Sequence, residues 1–161
     1  MSGERKCALA LGVIFTIIGV AGFIPSLVSL PTQAVSGAAP INVDDIPAMA
    51  GANYHAAYLR GFGYLFSLFP TNLLHNLTHL AFGVFGLYSS TGDRGAFNYN
   101  RFFAIVYLLV AVLGLLPAAN TLFGIMPIFG NNVWLNAITG AIAAYYAFVW
   151  HPANADMTTQ V

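Results

Sequence analysis

PTNLLHNLTHLAFGVFGLYS, Pro70 to Ser89, decides how this chain is read. It contains no Asp, Glu, Lys or Arg, and it opens on a proline, which suits the first position of a helix. A helix of about 20 apolar residues crosses a hydrocarbon core of about 30 Å. The stretch is therefore a membrane-span candidate. It also holds two histidines four residues apart, His75 and His79, with Asn76 and Thr78 between them. Polar side chains in an oily helix are either tolerated or required, and that choice is the functional question.

Three further segments resemble it in hydropathy. They are Cys7 to Leu27, Phe102 to Ala119 and Asn131 to Trp150, with Pro25, Pro117 and Pro152 at or near their ends. The 161-residue chain is 58% hydrophobic and only 6% charged, and its mean hydropathy is +0.75. Soluble domains carry about 25% charged residues. Five basic and five acidic side chains cannot clothe a water-facing surface, so the lipid bilayer is the expected solvent. Zero formal net charge leaves no electrostatic footprint for a nucleic-acid partner. One cysteine, Cys7, excludes an internal disulfide and a multi-cysteine metal site. Beside Arg5 and Lys6 it would suit reversible acylation, although an inert thiol is the simpler reading.

The charges choose a direction. Arg5, Lys6, Arg94 and Arg101 flank the N-terminus and the second connection, whereas Arg60, Asp44 and Asp45 lie in the first. Basic residues collect on the cytoplasmic side. Both termini and residues 90–100 are thus expected inside, with Trp150, Tyr145, Tyr146 and Tyr88 in the inner aromatic belt. Arg5-Lys6 and the apolar run after them also fit a signal peptide cut near Ser36-Gly37-Ala38. That run is longer than the usual 7–15 residues, so an anchor is expected. The long connection 28–69 should be irregular at first. Its second half, residues 50–69, reads as a short helix at the outer interface.

The chain echoes itself. GFIP, Gly22 to Pro25, ends the first apolar segment and GLLP, Gly114 to Pro117, ends the third. His75, His79 and Gly83 share the spacing of Asn132, Asn136 and Gly140, a shift of 57, while a shift of 60 pairs Asn72 with Asn132 and Asn76 with Asn136. Ala81, Gly83 and Gly86, like Ala137, Gly140, Ala141 and Ala144, form stripes where backbones can approach. The expected fold is an all-α polytopic membrane four-helix bundle, built from two helical hairpins of like orientation.

LGVIFTIIGVAGFIPS, LFSLFPTNLLHNLTHLAFGVFGL and WLNAITG together resemble an uncharacterised bacterial family, domain of unknown function 4383. The resemblance implies four membrane spans, a GFIP-like end to the first, an HN-x-x-H-x-x-x-G motif in the second and a D-N-W-L-H-like opening to the fourth. This chain departs from that opening: Asn132 and Asn136 stand where such relatives show Asp and His, beside a retained Trp134-Leu135. The resemblance implies fold and topology and carries no chemistry.

His75, Asn76, His79, Asn132 and Asn136 are expected to form a polar cluster in the outer half of the bundle, bonding one another across helices. Such bonds are worth about 0.6–2 kcal/mol. HNLTH has the spacing of a zinc-peptidase helix, but Asn76 occupies the place of the glutamate base, and an amide cannot take a proton from zinc-bound water. A plain zinc site lacks its third and fourth ligands unless Asp44, Asp45 or His55 folds back. His75 and His79 share one face and cannot bracket a haem, while a single axial histidine would suffice for a chlorophyll or a five-coordinate haem. Two intramembrane histidines could also relay protons in a solute or proton transporter. Asn76-Leu77-Thr78 matches a glycosylation sequon but lies within a span. The expected role is a non-enzymatic structural or accessory subunit, partnered by lipid and by other subunits or further copies of itself. A tetrapyrrole-binding subunit using His75 or His79 is the alternative, and a carrier the next.

Overall fold

A computed structural model describes residues 1–29 and 62–150. Four α-helices account for most of them: α1 (Gly3–Ala21), α2 (Leu73–Ser89), α3 (Asp93–Leu115) and α4 (Asn131–Ala144), the last continuing as a π-helix, Tyr145–Trp150. Between α1 and α2 lies an antiparallel sheet in the order β1 (Val28–Ser29), β2 (Gly63–Leu65), β3 (Phe69–Thr71). By length and composition α3 and the segment Asn131–Trp150 are long and apolar enough to cross a membrane.

Local chemistry sets the boundaries. The Ser2 hydroxyl accepts the Arg5 N–H and starts α1 at Gly3 rather than Cys7. A residue before proline is pushed out of the helical region. Ile24 (φ −93°, ψ 109°) and Leu116 (φ −90°, ψ 117°) accordingly take the same extended backbone before Pro25 and Pro117. The first and third helices therefore stop at Ala21 and Leu115, short of the expected Leu27 and Ala119. Asn72, not Pro70, caps α2, accepting the His75 N–H at 2.9 Å. Residues 90–100 are not a connection. Ser90 to Gly92 suffice for the turn, and α3 begins at Asp93, whose carboxylate suits a helix start.

The expected interfacial helix over 50–69 is corrected where the residues are described. Residues 63–71 form a β-hairpin, with Leu65 opposite Phe69 and Gly63 opposite Thr71. Phe66 and Ser67 turn it with φ of 53° and 58°, a conformation with no glycine signature here. Pro70 is tolerated because β3 is an edge strand. Leu65 buries its side chain against Ala21 and Val28, which closes this end of α1. Residues 50–61 lie outside the described residues, as do Asp44, Asp45, His55, Arg60 and His151.

The helices pack in sequential pairs, α1 along α2 and α3 along α4, and the pairs meet chiefly where α1 faces α3. Glycines allow the first pairing. A Cβ on Gly12 would lie 2.6 Å from the Leu87 nitrogen, and one on Gly83 would collide with the Thr16 backbone and hydroxyl. Gly140 packs on Leu108 in the second pair less tightly, a Cβ there lying 3.0 Å from the leucine side chain. Between the pairs, Cys7, Leu11 and Phe15 interleave with Tyr99, Phe103 and Tyr107 to form the core. Phe103 and Tyr107 stack at 3.8 Å, and Phe15 meets both rings edge-on.

Burial resolves the internal echo. The buried positions Glu4, Cys7, Ala8, Leu11, Gly12, Phe15 and Gly19 recur at an offset of 92 as Ala96, Tyr99, Asn100, Phe103, Ala104, Tyr107 and Ala111. His75, Asn76, His79, Gly83 and Gly86 recur at 57 as Asn132, Val133, Asn136, Gly140 and Ala143. The offset of 57 is therefore the structural register, and His75 and His79 correspond to Asn132 and Asn136. The two offsets differ because the first pair carries the longer connection.

Candidate polar site

The N-terminal ends of α2 and α4 are tied to each other's approach loops. Asn72 Nδ2 donates to the Ile125 carbonyl (2.9 Å), just ahead of α4, and Asn131 Nδ2 donates to the Leu68 carbonyl (3.1 Å), just ahead of α2. Asn132, 1% exposed, completes the clasp by donating to the carbonyls of Pro70 (2.6 Å) and Pro127 (3.0 Å). Carbonyls next to or within proline-containing turns have lost their usual ladder partners, so a buried amide is well placed to satisfy them.

Asn76 faces elsewhere. One residue on from His75, it is rotated by about 100° around the helix. It accepts the Thr71 hydroxyl at 2.6 Å and lies against Gly22, where a Cβ would overlap its amide group. The GFIP end of α1 and the histidine motif of α2 are thus one contact. Asn76 pins α1 and β3 and takes no part in the histidine face.

His75 and His79 do lie on one face, both 3% exposed, with ring centroids 4.3 Å apart and planes at 64°. The His75 ring hydrogen-bonds the Pro70 and Pro127 carbonyls that Asn132 also reaches. Its Nδ1 has no partner among the described residues, so those contacts are made through Nε2. A carbonyl only accepts, which places the proton on Nε2 and leaves Nδ1 a bare acceptor. His79 rests its ring edge-on against Phe15 at 5.0 Å, and neither of its nitrogens has a hydrogen-bond partner among the described residues.

The expected mutual bonding within the polar cluster is therefore corrected. His75 and Asn132 share two backbone carbonyls, Asn76 belongs to the α1 contact, and His79 is bonded by no described residue. A buried polar group without a partner costs about 1–3 kcal/mol. A residue kept only for packing has no reason to carry that penalty.

A cavity of ≈ 200 Å³ lies beside this face. Its walls come from α2, α3, α4 and the loop before α4, and it is lined by His75, His79, Tyr107, Asn136, Phe82 and Met126 among others. The Tyr107 hydroxyl is also buried without a partner among the described residues. Sequence reading gave Tyr107 no role, because a tyrosine in an apolar helix looks like packing. The signal that could have found it is the offset of 92, which sets Tyr107 opposite Phe15 and leaves only one of the two with a hydroxyl.

The cavity does not fit a tetrapyrrole. Drug-sized ligands occupy about 300–1,000 Å³, a macrocycle of four pyrroles is no smaller than those, and both imidazoles turn inward. Among the described residues no group of three or more His, Cys, Asp or Glu is placed to hold a metal ion. The cavity wall is almost wholly apolar, and His75 Nδ1, both His79 nitrogens and the Tyr107 hydroxyl lie covered behind it.

No curated protein and no solved structure matches the chain. The family resemblance carried by the GFIP and HN-x-x-H motifs is borne out over nearly the whole length: the chain belongs to the family described as domain of unknown function (DUF4383), whose model matches residues 5–149.

Proposed function

We propose that this is an integral membrane protein whose four helices all span the bilayer, with both termini on the cytoplasmic side, and that it serves as a non-enzymatic accessory subunit of a membrane assembly. The segregation of charge carries the reading. Glu4, Arg5, Lys6, Asp93, Arg94 and Arg101 all lie toward one end of the helices. Among the described residues the opposite end, residues 22–29, 62–72 and 116–131, carries no charge, and Asp44, Asp45 and Arg60 of the first connection lie outside the described residues. An excess of basic residues marks the cytoplasmic face.

The sides of the helices support it as well. Ile17, Val84, Leu109, Leu115 and Ile138 are each more than half exposed. A band of bare aliphatic surface on every helix suits acyl chains and ill suits water. α1 and α2, shorter than α3 and the segment Asn131–Trp150, are still long enough for the task. At 1.5 Å per residue α1 and α2 extend roughly 26–28 Å, close to the roughly 30 Å of a hydrocarbon core. The accessory role rests on the cavity's chemistry: among the described residues neither an acid nor a strong base lines it.

Cysteine labelling tests the topology. In a Cys7→Ala background, Ser67→Cys and Thr91→Cys place thiols in exposed turns at opposite ends. A membrane-impermeant maleimide applied to intact cells should label Ser67→Cys, and Thr91→Cys only after lysis. The reverse pattern overturns the orientation. Release of the protein from membranes by alkaline wash overturns the bilayer reading itself.

A further inference from the structure

One face of α3 is exposed along almost the whole helix. Arg94, Asn98, Arg101, Ile105, Leu109 and Val112 follow at steps of three and four, and all are exposed. At about 100° per residue they fall within a wedge of about 80°. The face changes character once. Its first turns are cationic and polar, whereas Ile105, Leu109 and Val112 beyond them are bare aliphatic side chains, each more than half exposed.

The two arginines lie about 10 Å apart along the axis, on the same side of the helix, so their long stems can converge on one anion. Neither pairs with a carboxylate among the described residues. Asp93 is rotated by about 100° from Arg94 and accepts the Ser2 hydroxyl at 2.6 Å. Glu4 is buried in α1. Arg101 instead stands over the Phe148 ring, its guanidinium carbon 5.9 Å from the ring centre. An aromatic face positions a guanidinium without neutralising its charge. Phe148 lies in the last turn before Trp150. In the membrane-spanning reading above, on which this inference rests, that is the level of the inner aromatic belt, where headgroups begin.

We propose that this face of α3 binds an anionic phospholipid of the cytoplasmic leaflet, its phosphate held by Arg101 and Arg94 and an acyl chain lying along Ile105, Leu109 and Val112. Each part of the ligand follows from a part of the face. A planar guanidinium makes paired bonds to phosphate oxygens. Asn98, between the arginines, supplies an uncharged donor for a further headgroup oxygen. A zwitterionic headgroup would bring its own cation against two arginines. A soluble phosphate would leave the aliphatic stripe unused.

The outer face of α1 shows that a basic end alone does not make this arrangement. Lys6 stands there above exposed Leu9, Val13 and Ile17, but it is a single, strongly hydrated point charge. Its neighbour Arg5 is taken up by the Ser90 carbonyl at 2.8 Å. Diffuse attraction of a basic surface to anionic lipid draws on every exposed cation alike. A site does not.

Native mass spectrometry of the full chain released from neutral detergent counts bound lipids and tests the proposal. The probes are phosphatidylglycerol, phosphatidylcholine with identical acyl chains, and glycerophosphoglycerol, the same anionic headgroup without chains. The first phosphatidylglycerol should bind at least tenfold more tightly than the first phosphatidylcholine, and the bare headgroup should not bind. Arg101→Gln should weaken phosphatidylglycerol tenfold or more and leave phosphatidylcholine unchanged. Phe148→Leu, which removes the ring beneath the guanidinium, should weaken it threefold or more. Lys6→Gln should change it less than twofold. Where Arg101→Gln fails to fold, Arg94→Gln decides, with an expected loss of fivefold or more. Equal affinity for the two lipids overturns the proposal, as does equal loss in Lys6→Gln and Arg101→Gln, which would leave only diffuse charge. A bare headgroup that binds as tightly as the lipid also overturns it and assigns the arginines to a soluble phosphate. Binding in detergent reads the site whichever way the bundle faces, so failure of the topology reading is seen separately, in the cysteine labelling.

Discussion

Gly22, the residue that closes α1, lies so tightly against the side-chain amide of Asn76 in α2 that no Cβ fits between them. Its backbone is ordinary for any residue, φ −65° and ψ −15°, so close approach and not conformational freedom demands glycine. Gly22→Ala should destabilise the protein by about 1–3 kcal/mol, the usual cost of overpacking. Gly92→Ser, in open space at the start of α3, should change stability little. Thermal unfolding in detergent followed by circular dichroism measures both. Asn76→Ala removes the obstacle, so the two substitutions should couple, with Gly22→Ala costing less in the Asn76→Ala background. Equal cost in both backgrounds would show that the contact does not matter.

The α1–α2 crossing makes a second demand of the same kind. A side chain on Gly83 would collide with the Thr16 backbone, whereas Ala81, two residues earlier, is exposed. Gly83→Leu should separate the helices and lower the unfolding temperature sharply or prevent folding. Ala81→Leu should be tolerated. If Gly83→Leu unfolds at the temperature of the parent protein, the backbones are not in contact there.

Long apolar runs made the four helices legible, and Gly-x-x-Pro marked the ends of the first and third. The clasp of Asn72, Asn131 and Asn132 was less so. Its acceptors are backbone carbonyls of Leu68, Pro70, Ile125 and Pro127, and a sequence shows which side chains can donate but not which carbonyls have been left without partners. The hairpin at 63–71 escaped for another reason. Its turn uses Phe66 and Ser67 at positive φ, and neither residue type announces a left-handed turn. The register of the repeat was ambiguous for a third reason, since amides at 72, 76, 132 and 136 pair plausibly at either shift. Only the order of buried faces separates 57 from 60.

That clasp supplies a third prediction. Asn132→Ala leaves the carbonyls of Pro70 and Pro127 without their donor in a buried setting, and should cost about 1–3 kcal/mol. Asn132→Asp should cost more, because a carboxylate turned toward two carbonyl oxygens repels both. Amide hydrogen exchange localises the effect: protection should fall around residues 125–133 and 69–75 and persist along α1. Uniform loss across the chain would mean that Asn132 holds the core and not the clasp.

His79 should behave in the opposite way, and the contrast separates glue from site. Its ring packs edge-on against Phe15, which a phenylalanine can reproduce, and its two nitrogens bond no described residue. His79→Phe therefore removes no hydrogen bond within the described structure while adding apolar surface to a mostly apolar cavity. Relieving unsatisfied buried nitrogens is worth up to about 1–3 kcal/mol, and the slightly larger ring offsets part of that gain. The expected outcome is an unfolding temperature equal to or above that of the parent. His75→Phe, by contrast, breaks the bond to the Pro70 and Pro127 carbonyls and should destabilise. Thermal unfolding of the two variants side by side decides it. A His79→Phe protein as unstable as His75→Phe would mean that the second imidazole is held by an interaction essential to the fold, and would return both histidines to a purely structural role.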